Sequence, residues 1–223
     1  MRRAIAWLAL LAPLGLILAE ETKKEEKKDD KDNGWISLFD GKTLKGWKSH
    51  PKNPGQWKVE DGAIVGTGPA SHLFTERGDF RNFRLKMEIM INDKGNSGMY
   101  FRTQYGPGFP VGWEAQVNAT HSDPIRTGSL YPSGREKDLR AIKEIQVFKA
   151  LHKPNEWFTQ EVECVGPKIT IWVNGEKTVE WTDPKDRFKT GHFAIQQHDP
   201  GSVVKVRKVE VKLLPDESKG TDK

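Results

Sequence analysis

Between residues 34 and about 214, apolar and polar side chains alternate with a period of two, and Gly, Pro and Asn-Gly turns interrupt the alternation. In the stretch FRLKMEIMI, residues 83–91, every second side chain is apolar. Asn174-Gly175 separates two such runs and suits the positive φ angles of a type I′ hairpin turn. These patterns are typical of antiparallel strands that bury one face. The sequence therefore predicts an all-β fold, a two-sheet antiparallel sandwich of the jelly-roll kind.

Composition divides the chain into four segments. Residues 1–19 join two arginines to an apolar run that ends in Ala19, which predicts a secretory signal peptide. We therefore expect a secreted or periplasmic protein, or a membrane tether if the segment stays uncleaved. Residues 20–33 hold charges of both signs without an apolar residue, so we expect a disordered linker. Residues 34–215 hold the jelly roll, and residues 216–223 form a charged tail that we expect to be disordered.

Charge and cysteine content narrow the class of partner. The formal net charge of +5 includes two arginines of the predicted leader and is too mild to indicate nucleic-acid binding. Cys164 is the only cysteine, so the chain offers no intramolecular disulfide and no thiolate metal cluster. Its place within an apparent strand favours a buried small apolar residue over a nucleophile.

The segment 96–118 places unusual side chains on one side of two short strands. If both strands alternate regularly, one side carries Tyr100, Arg102, Glu114, Gln116 and Asn118, and the other carries Met99, Phe101, Trp113, Ala115 and Val117. Forked and planar hydrogen-bonding groups beside an aromatic ring suit a polyol such as a sugar. The alternative is a solvated outer face with one Arg-Glu pair.

Several motifs along residues 34–213 resemble those of one protein family and follow one another in the same order as in that family. They include GWISLFDGKTLKGWK, WKVEDGAIVGTG, NSGMYFR, GWEAQV, IWVNGEK and GHFAIQQH. Together they are similar to the 3-keto-disaccharide hydrolase family, long catalogued as a domain of unknown function. The resemblance implies a concanavalin A-like jelly roll of the lectin/glucanase type that cleaves glycosidic bonds of 3-keto sugars. Phe158 stands where the family usually has asparagine, so any role of that side chain is not carried over.

The residues fit 3-keto sugar chemistry better than ordinary glycoside hydrolysis. Ordinary hydrolysis needs two carboxyl groups, and the stretch after Glu114 supplies Gln116 and Ala119 where a laminarinase-like motif has carboxylates. A ketone at C3 acidifies the C2 hydrogen, so one base and one enolate stabiliser suffice. We expect Glu114 or His198 as the base and Arg102 as the oxyanion partner. The expected substrate-binding residues are Glu88, Tyr100, Gln116, Tyr131, Gln196 and Gln197.

The histidines leave two questions open. His198 ends a strand in register with Gln196, and a strand-end polar cap is the alternative to a base. His121 and Asp123 could join Glu114 at a divalent cation that replaces Arg102 as enolate stabiliser, although no dense ligand spacing assigns a metal.

Three functional classes follow from these residues. The leading one is an exported enzyme acting on a sugar or glycoside, supplied by an upstream sugar oxidoreductase. The second is a non-catalytic lectin-like carbohydrate-binding module, and the third is a structural surface module. Arg102, Glu114 and His198 favour the enzyme because a lectin site needs no titratable base.

Residues 133–156 lack an apolar stripe, so we predict a long excursion over the sheet rather than a helix.

Overall fold

In the computed structural model of the protein, residues 34–132, Leu139 and residues 141–216 are described. The predicted signal peptide and linker, and residues 217–223 of the predicted tail, lie outside them. The described residues form fourteen strands: β1 (Trp35–Ser37), β2 (Trp47–Ser49), β3 (Gln56–Glu60), β4 (Ala63–Thr67), β5 (Ser71–Thr75), β6 (Phe83–Ile91), β7 (Ser97–Thr103), β8 (Trp113–Val117), β9 (Leu130–Pro132), β10 (Phe158–Val165), β11 (Lys168–Val173), β12 (Glu176–Thr182), β13 (His192–Gln197) and β14 (Val204–Leu213).

The strands form two antiparallel sheets, which confirms the predicted all-β sandwich. The larger sheet has the order β12-β11-β10-β6-β14-β4-β3, and β1 also pairs with β14. In that pairing Trp35 lies opposite Lys212, so the first and last described strands are neighbours. The smaller sheet has the order β2-β5-β13-β7-β8-β9. In this second sheet β13 lies between β5 and β7, so it brings together residues from distant parts of the chain.

The core lies between the sheets and follows the predicted alternation. In β6, Phe83, Leu85 and Ile91 are fully buried, while the side chains between the apolar ones are half-buried. They join one apolar cluster with residues of the smaller sheet such as Met99 and Phe101. Truncating one such side chain, for example by Leu85→Ala, is expected to cost about 2–5 kcal/mol.

Two local predictions are confirmed. Asn174 and Gly175 have φ angles of +51° and +82°, as a type I′ turn requires. Cys164 is fully buried within β10, and burial raises the pKa of its thiol to about 12. It therefore stays a neutral thiol in the core and is not a nucleophile.

The rest of the described chain adds little regular structure. Within the described part of the predicted excursion at residues 133–156, the regular element is one short 3₁₀ turn at Lys143–Ile145. Among all described residues, no helix has the length and apolar character needed to span a bilayer.

Strands β7 and β8 are buried on both of their faces. Met99, Phe101 and their neighbours face the core, and the polar side chains on the opposite face are almost as inaccessible to solvent. Tyr100 is 2 % exposed and Glu114 is 6 % exposed. The alternative of an ordinary solvated outer face is therefore wrong, because such a face would leave these polar groups in water.

Candidate functional site

Strand register assembles a polar surface on the smaller sheet. Tyr100 of β7 pairs with Glu114 of β8, which pairs with Tyr131 of β9. On the other side of β7, β13 pairs with β5, so that Gln196 lies opposite His72. Residues opposite one another, or two apart along a strand, share a face of the sheet. We call this surface the site face, and its members are His72, Tyr100, Glu114, Tyr131 and Gln196.

Glu114, Tyr100 and Gln196 form a hydrogen-bonded chain at the centre of the site face. Gln196 Nε2 donates to the Tyr100 hydroxyl over 3.0 Å. Burial, the charge of Glu114 and a hydrogen bond to that carboxylate raise the pKa of Tyr100 well above its ordinary value. Tyr100 therefore stays protonated and donates to Glu114, which fixes the position of the carboxylate.

Gly98 makes room for the Glu114 carboxylate. A Cβ atom at Gly98 would lie 2.0 Å from Glu114 Oε1 and 2.6 Å from its Cδ, far inside contact distance. The Glu114 side chain therefore lies flat against the backbone of β7. Only glycine at position 98 permits this arrangement, so the sequence feature that positions the carboxylate is on the neighbouring strand.

His72 is a member of the site face that sequence reasoning missed. It is 4 % exposed, and neither ring nitrogen has a hydrogen-bond partner. Its ring packs edge-on against Tyr100 with centroids 4.9 Å apart. Burial, and secondarily the neighbouring His198, lowers the pKa of His72 to about 3, so the ring is neutral. Its only sequence signal is a histidine within the short strand SHLFT, which becomes informative once β5 is known to pair with β13.

A second polar cluster lies where β13 ends. His198 Nδ1 lies 2.9 Å from Asp199 Oδ2, and the ring of His121 stands edge to face with that of His198 at 5.7 Å. One ligand atom from each of these three side chains lies within 4.8 Å of the other two. Partial burial raises the pKa of Asp199, but hydrogen bonds from His198, Ser202 and the Gly201 N–H outweigh burial and lower it overall. Asp199 is therefore a carboxylate that holds the His198 ring.

The loop that carries His121 is clamped by Asn118. Asn118 Nδ2 donates to the carbonyls of Asp123 and Ile125, and its Oδ1 accepts the His121 N–H over 2.9 Å. The Arg126 guanidinium donates to the His121 carbonyl over 3.0 Å. Asn118 was predicted to face the sugar, but its amide is fully buried and builds the loop instead.

The loop between β7 and β8 borders both clusters. Phe109 is 57 % exposed, and its ring centroid lies 5.8 Å from that of His72 and 6.1 Å from that of His198. The Gly108 N–H donates to Asn53 Oδ1 over 2.9 Å, which anchors the loop. An exposed aromatic ring beside buried polar groups is a surface on which the apolar face of a sugar ring can stack.

The predicted role of Arg102 as oxyanion partner is wrong. Its φ angle of +47° breaks the alternation of β7, and its side chain leaves the site face. Arg102 Nε and Nη2 donate to the Arg81 carbonyl at 2.9 and 2.6 Å, and Nη1 donates to the carbonyls of Gly166 and Phe188 at 2.7 and 3.1 Å. The guanidinium is therefore committed to holding three chain segments together.

Two predicted substrate-binding residues also lie elsewhere. Glu88 is on the outer face of the larger sheet, where its carboxylate pairs with Arg207 at 2.8 Å. Gln197 alternates away from Gln196, and its Nε2 donates to backbone carbonyls, including that of Ser202 at 2.8 Å. The structure corrects both predictions. Glu88 belongs to the other sheet, and Gln197 points to the opposite side of β13 from Gln196, so neither side chain reaches the site face.

Gln116 and Tyr131 remain beside Glu114. Gln116 lies opposite Gly98, and its side-chain oxygen accepts the N–H of Val117 over 3.1 Å. Tyr131 is half-buried, and its hydroxyl lies 3.5 Å from Asp123 Oδ2. The structure thus keeps Glu114, Tyr100, Gln116, Tyr131 and Gln196 together, with His198 at the end of the same strand as Gln196.

Comparisons with known proteins identify the family of this chain. The profile of a family described as a 3-keto-alpha-glucoside-1,2-lyase-like domain matches residues 34–212. A 3-keto-disaccharide hydrolase of Bacteroides thetaiotaomicron is 38 % identical over 82 residues, which is 32 % of this chain and 28 % of that protein. The chain therefore spans little more than a quarter of the curated relative that it matches.

Solved structures show the same fold. A protein of Parabacteroides distasonis, described as a proposed glycosyl hydrolase, superposes with a TM-score of 0.65 at 26 % identity, covering 84 % of this chain and 97 % of that one. The carbohydrate-binding module CBM66 of Bacillus subtilis superposes with a TM-score of 0.53 at 15 % identity, covering 74 % of this chain and 94 % of that one. At that identity the second likeness shows the fold alone.

Proposed function

The chain belongs to the 3-keto-alpha-glucoside-1,2-lyase-like domain family, whose profile matches residues 34–212, and on that premise we propose that it cleaves the glycosidic bond of 3-keto glycosides. The observation that carries the proposal is the Glu114 carboxylate. It lies against Gly98 and is held by Tyr100 on a buried polar face. The 3-keto-disaccharide hydrolase from Bacteroides thetaiotaomicron supports the same substrate class.

The proposed reaction is an elimination that starts at C2 of the oxidised sugar. The C3 ketone acidifies the C2 hydrogen, and a base removes that hydrogen as a proton. The electron pair it leaves behind is held as the C3 enolate and then forms the C1=C2 bond, which expels the aglycone oxygen from C1. That oxygen takes up a proton and leaves as an alcohol. Addition of water across the new double bond completes a net hydrolysis.

We assign the base to Glu114. A general base must lie at a fixed distance from the hydrogen that it removes, and the hydrogen bond from Tyr100 together with the Gly98 backbone fixes this carboxylate. Gln116 follows Glu114 by two residues on β8, and Gln196 donates to the Tyr100 hydroxyl, so both can orient hydroxyl groups of the sugar. His198, bound to Asp199, stays at the rim of the same surface.

The test compares two carboxylates of the same chain. We expect the purified protein to release the aglycone from a 3-keto glucoside and not from its unoxidised parent. Glu114→Gln is expected to lower this turnover by about 10²–10⁴-fold, the usual contribution of a general base. Glu88→Gln is the matched control, because Glu88 lies on the outer face of the other sheet. Deuterium at C2 should slow the reaction with the wild-type protein.

Two results would reject the assignment. Equal release from the keto sugar and its parent would exclude the enolate route. Unchanged turnover in Glu114→Gln, with the variant folded, would exclude Glu114 as the base.

A non-catalytic sugar-binding module is the second candidate. The exposed Phe109 ring beside the polar site face favours it, because a lectin site can be built from aromatic rings and amides alone. Saturable binding of the keto sugar or its parent without cleavage of either would establish this candidate. If residues 1–19 direct export as predicted, either activity would operate outside the cytoplasm, with the keto sugar supplied by an oxidoreductase.

A further inference from the structure

The oxyanion of the proposed reaction needs a positive charge that Arg102 does not supply. Its guanidinium donates to carbonyls of three other segments and lies off the site face. At the rim of the site face, His121, His198 and Asp199 converge from two loops that are distant in the chain. Nitrogen and carboxylate donors at this spacing are the ingredients of a metal site.

We propose that His121, His198 and Asp199 bind a divalent transition-metal ion. Two ligand atoms about 2.1 Å from one ion lie about 3 Å apart when they occupy adjacent octahedral positions. The 2.9 Å separation of His198 Nδ1 and Asp199 Oδ2 matches that distance. The ligand atom of His121 lies within 4.8 Å of the others, so a small rotation of its side chain completes the set.

The donor set selects the class of ion. Two imidazoles and one carboxylate suit zinc, cobalt, manganese or iron, whereas calcium and magnesium prefer oxygen ligands throughout. Three protein ligands also leave coordination positions open, as catalytic sites do. All three side chains are partly exposed, so an ion held by them remains accessible to a ligand from solution.

Neighbouring residues hold each ligand in place. Asp199 accepts hydrogen bonds from the Gly201 N–H and the Ser202 hydroxyl, each at 2.9 Å. His121 is presented by the loop that Asn118 clamps. Such outer contacts orient metal ligands and contribute to affinity.

Binding the ion has a definite local cost. His121 Nδ1 accepts the Asp123 N–H over 3.1 Å, and ligation through either ring nitrogen gives up this bond. The ion also takes the place of the contact between His198 and Asp199. The loss of one neutral hydrogen bond is small beside the free energy with which a typical three-ligand site binds its ion.

The role of the ion rests on the proposed function. The ring of Phe109 lies near both His198 and His72, so the metal site and the site face border the same loop. An ion at His198 could therefore accept the C3 oxygen of the sugar while Glu114 takes the C2 proton. As a Lewis acid it would stabilise the enolate that forms.

The site itself can be tested without any sugar. We expect the purified full chain, first treated with chelator, to bind one Co²⁺ per molecule in calorimetry and to develop visible absorption from nitrogen ligation. His121→Ala and Asp199→Asn should each weaken this binding by at least about tenfold. His50→Ala is the matched histidine control and should leave the affinity unchanged, because His50 packs against Tyr105 and is not one of the three ligands.

Two outcomes overturn the site. The first is a wild-type protein that takes up no Co²⁺, and the second is an affinity that His121→Ala leaves unchanged. If a ligand variant does not fold, adding Mn²⁺ to the wild-type protein tests the metal site instead. It should broaden the ring proton resonances of His121 and His198 and spare those of His50, and uniform broadening would overturn the proposal.

Turnover separates this proposal from the proposed function. Co²⁺ binding without cleavage of a 3-keto glucoside would support the metal site and reject the proposed function. Full turnover by the chelated protein would reject the catalytic role of the ion and leave the elimination in place.

Discussion

Acid should destabilise the protein through His72. This buried histidine has a pKa of about 3 against an ordinary value of 6.5, so between these values the unfolded chain binds the proton more readily than the folded one. Its contribution to stability is therefore complete above pH 6.5 and is lost as the pH falls towards 3. From neutrality to about pH 4.5, the loss from this one group is about 2–3 kcal/mol.

Urea unfolding of the wild-type protein and of His72→Leu at both pH values isolates this contribution. Acidic residues titrate in the same range in both proteins, so the difference between them reports His72 together with its interaction with His198. Leucine also removes two buried ring nitrogens that have no hydrogen-bond partner, so the variant should be at least as stable at neutral pH. Parallel losses of stability in the two proteins would refute the reasoning, because His72 would then titrate alike in the folded and unfolded states.

Three further substitutions test other parts of the structure. Gly98→Ala should displace the Glu114 carboxylate and lower turnover by about 100-fold, while thermal unfolding shows a folded protein; unchanged turnover would contradict this. Arg102→Met should cost about 2–4 kcal/mol in urea unfolding, because several backbone carbonyls lose a charged donor, yet leave turnover of the folded protein intact. Phe109→Ala should raise KM more than it changes kcat; a fall in kcat alone would place Phe109 in the chemistry.

The strands could be predicted because their signals are local. The alternation in β6 and the Asn174-Gly175 turn depend only on residues near one another in the chain, and the structure confirms both. The alternation also continues through Gln196 and Gln197, which point to opposite sides of β13 although both were expected to bind the sugar. It failed at Arg102, because a positive φ angle ends the regular pleat one residue before the end of β7.

The composition of the site depends on pairings that no local pattern reveals. His72 joins the site face because β5 pairs with β13, over a hundred residues later in the chain. His121 and His198 meet only because loops at the ends of β8 and β13 lie together. Glu88 was misassigned for the same reason, since its alternation is regular but its strand belongs to the other sheet. Sequence periodicity thus predicts which side of a strand a residue faces, but not which strands are neighbours.

The pairing of β1 with β14 makes this domain a candidate for circular permutation. Trp35 and Lys212 are neighbours across that pairing, so a short peptide could join the two ends of the domain. New ends could be opened at the exposed Asn174-Gly175 turn, in the sheet opposite the site face. A permutant of this kind should retain the full site, and the same closeness of the ends would let the domain be inserted into a surface loop of a host protein.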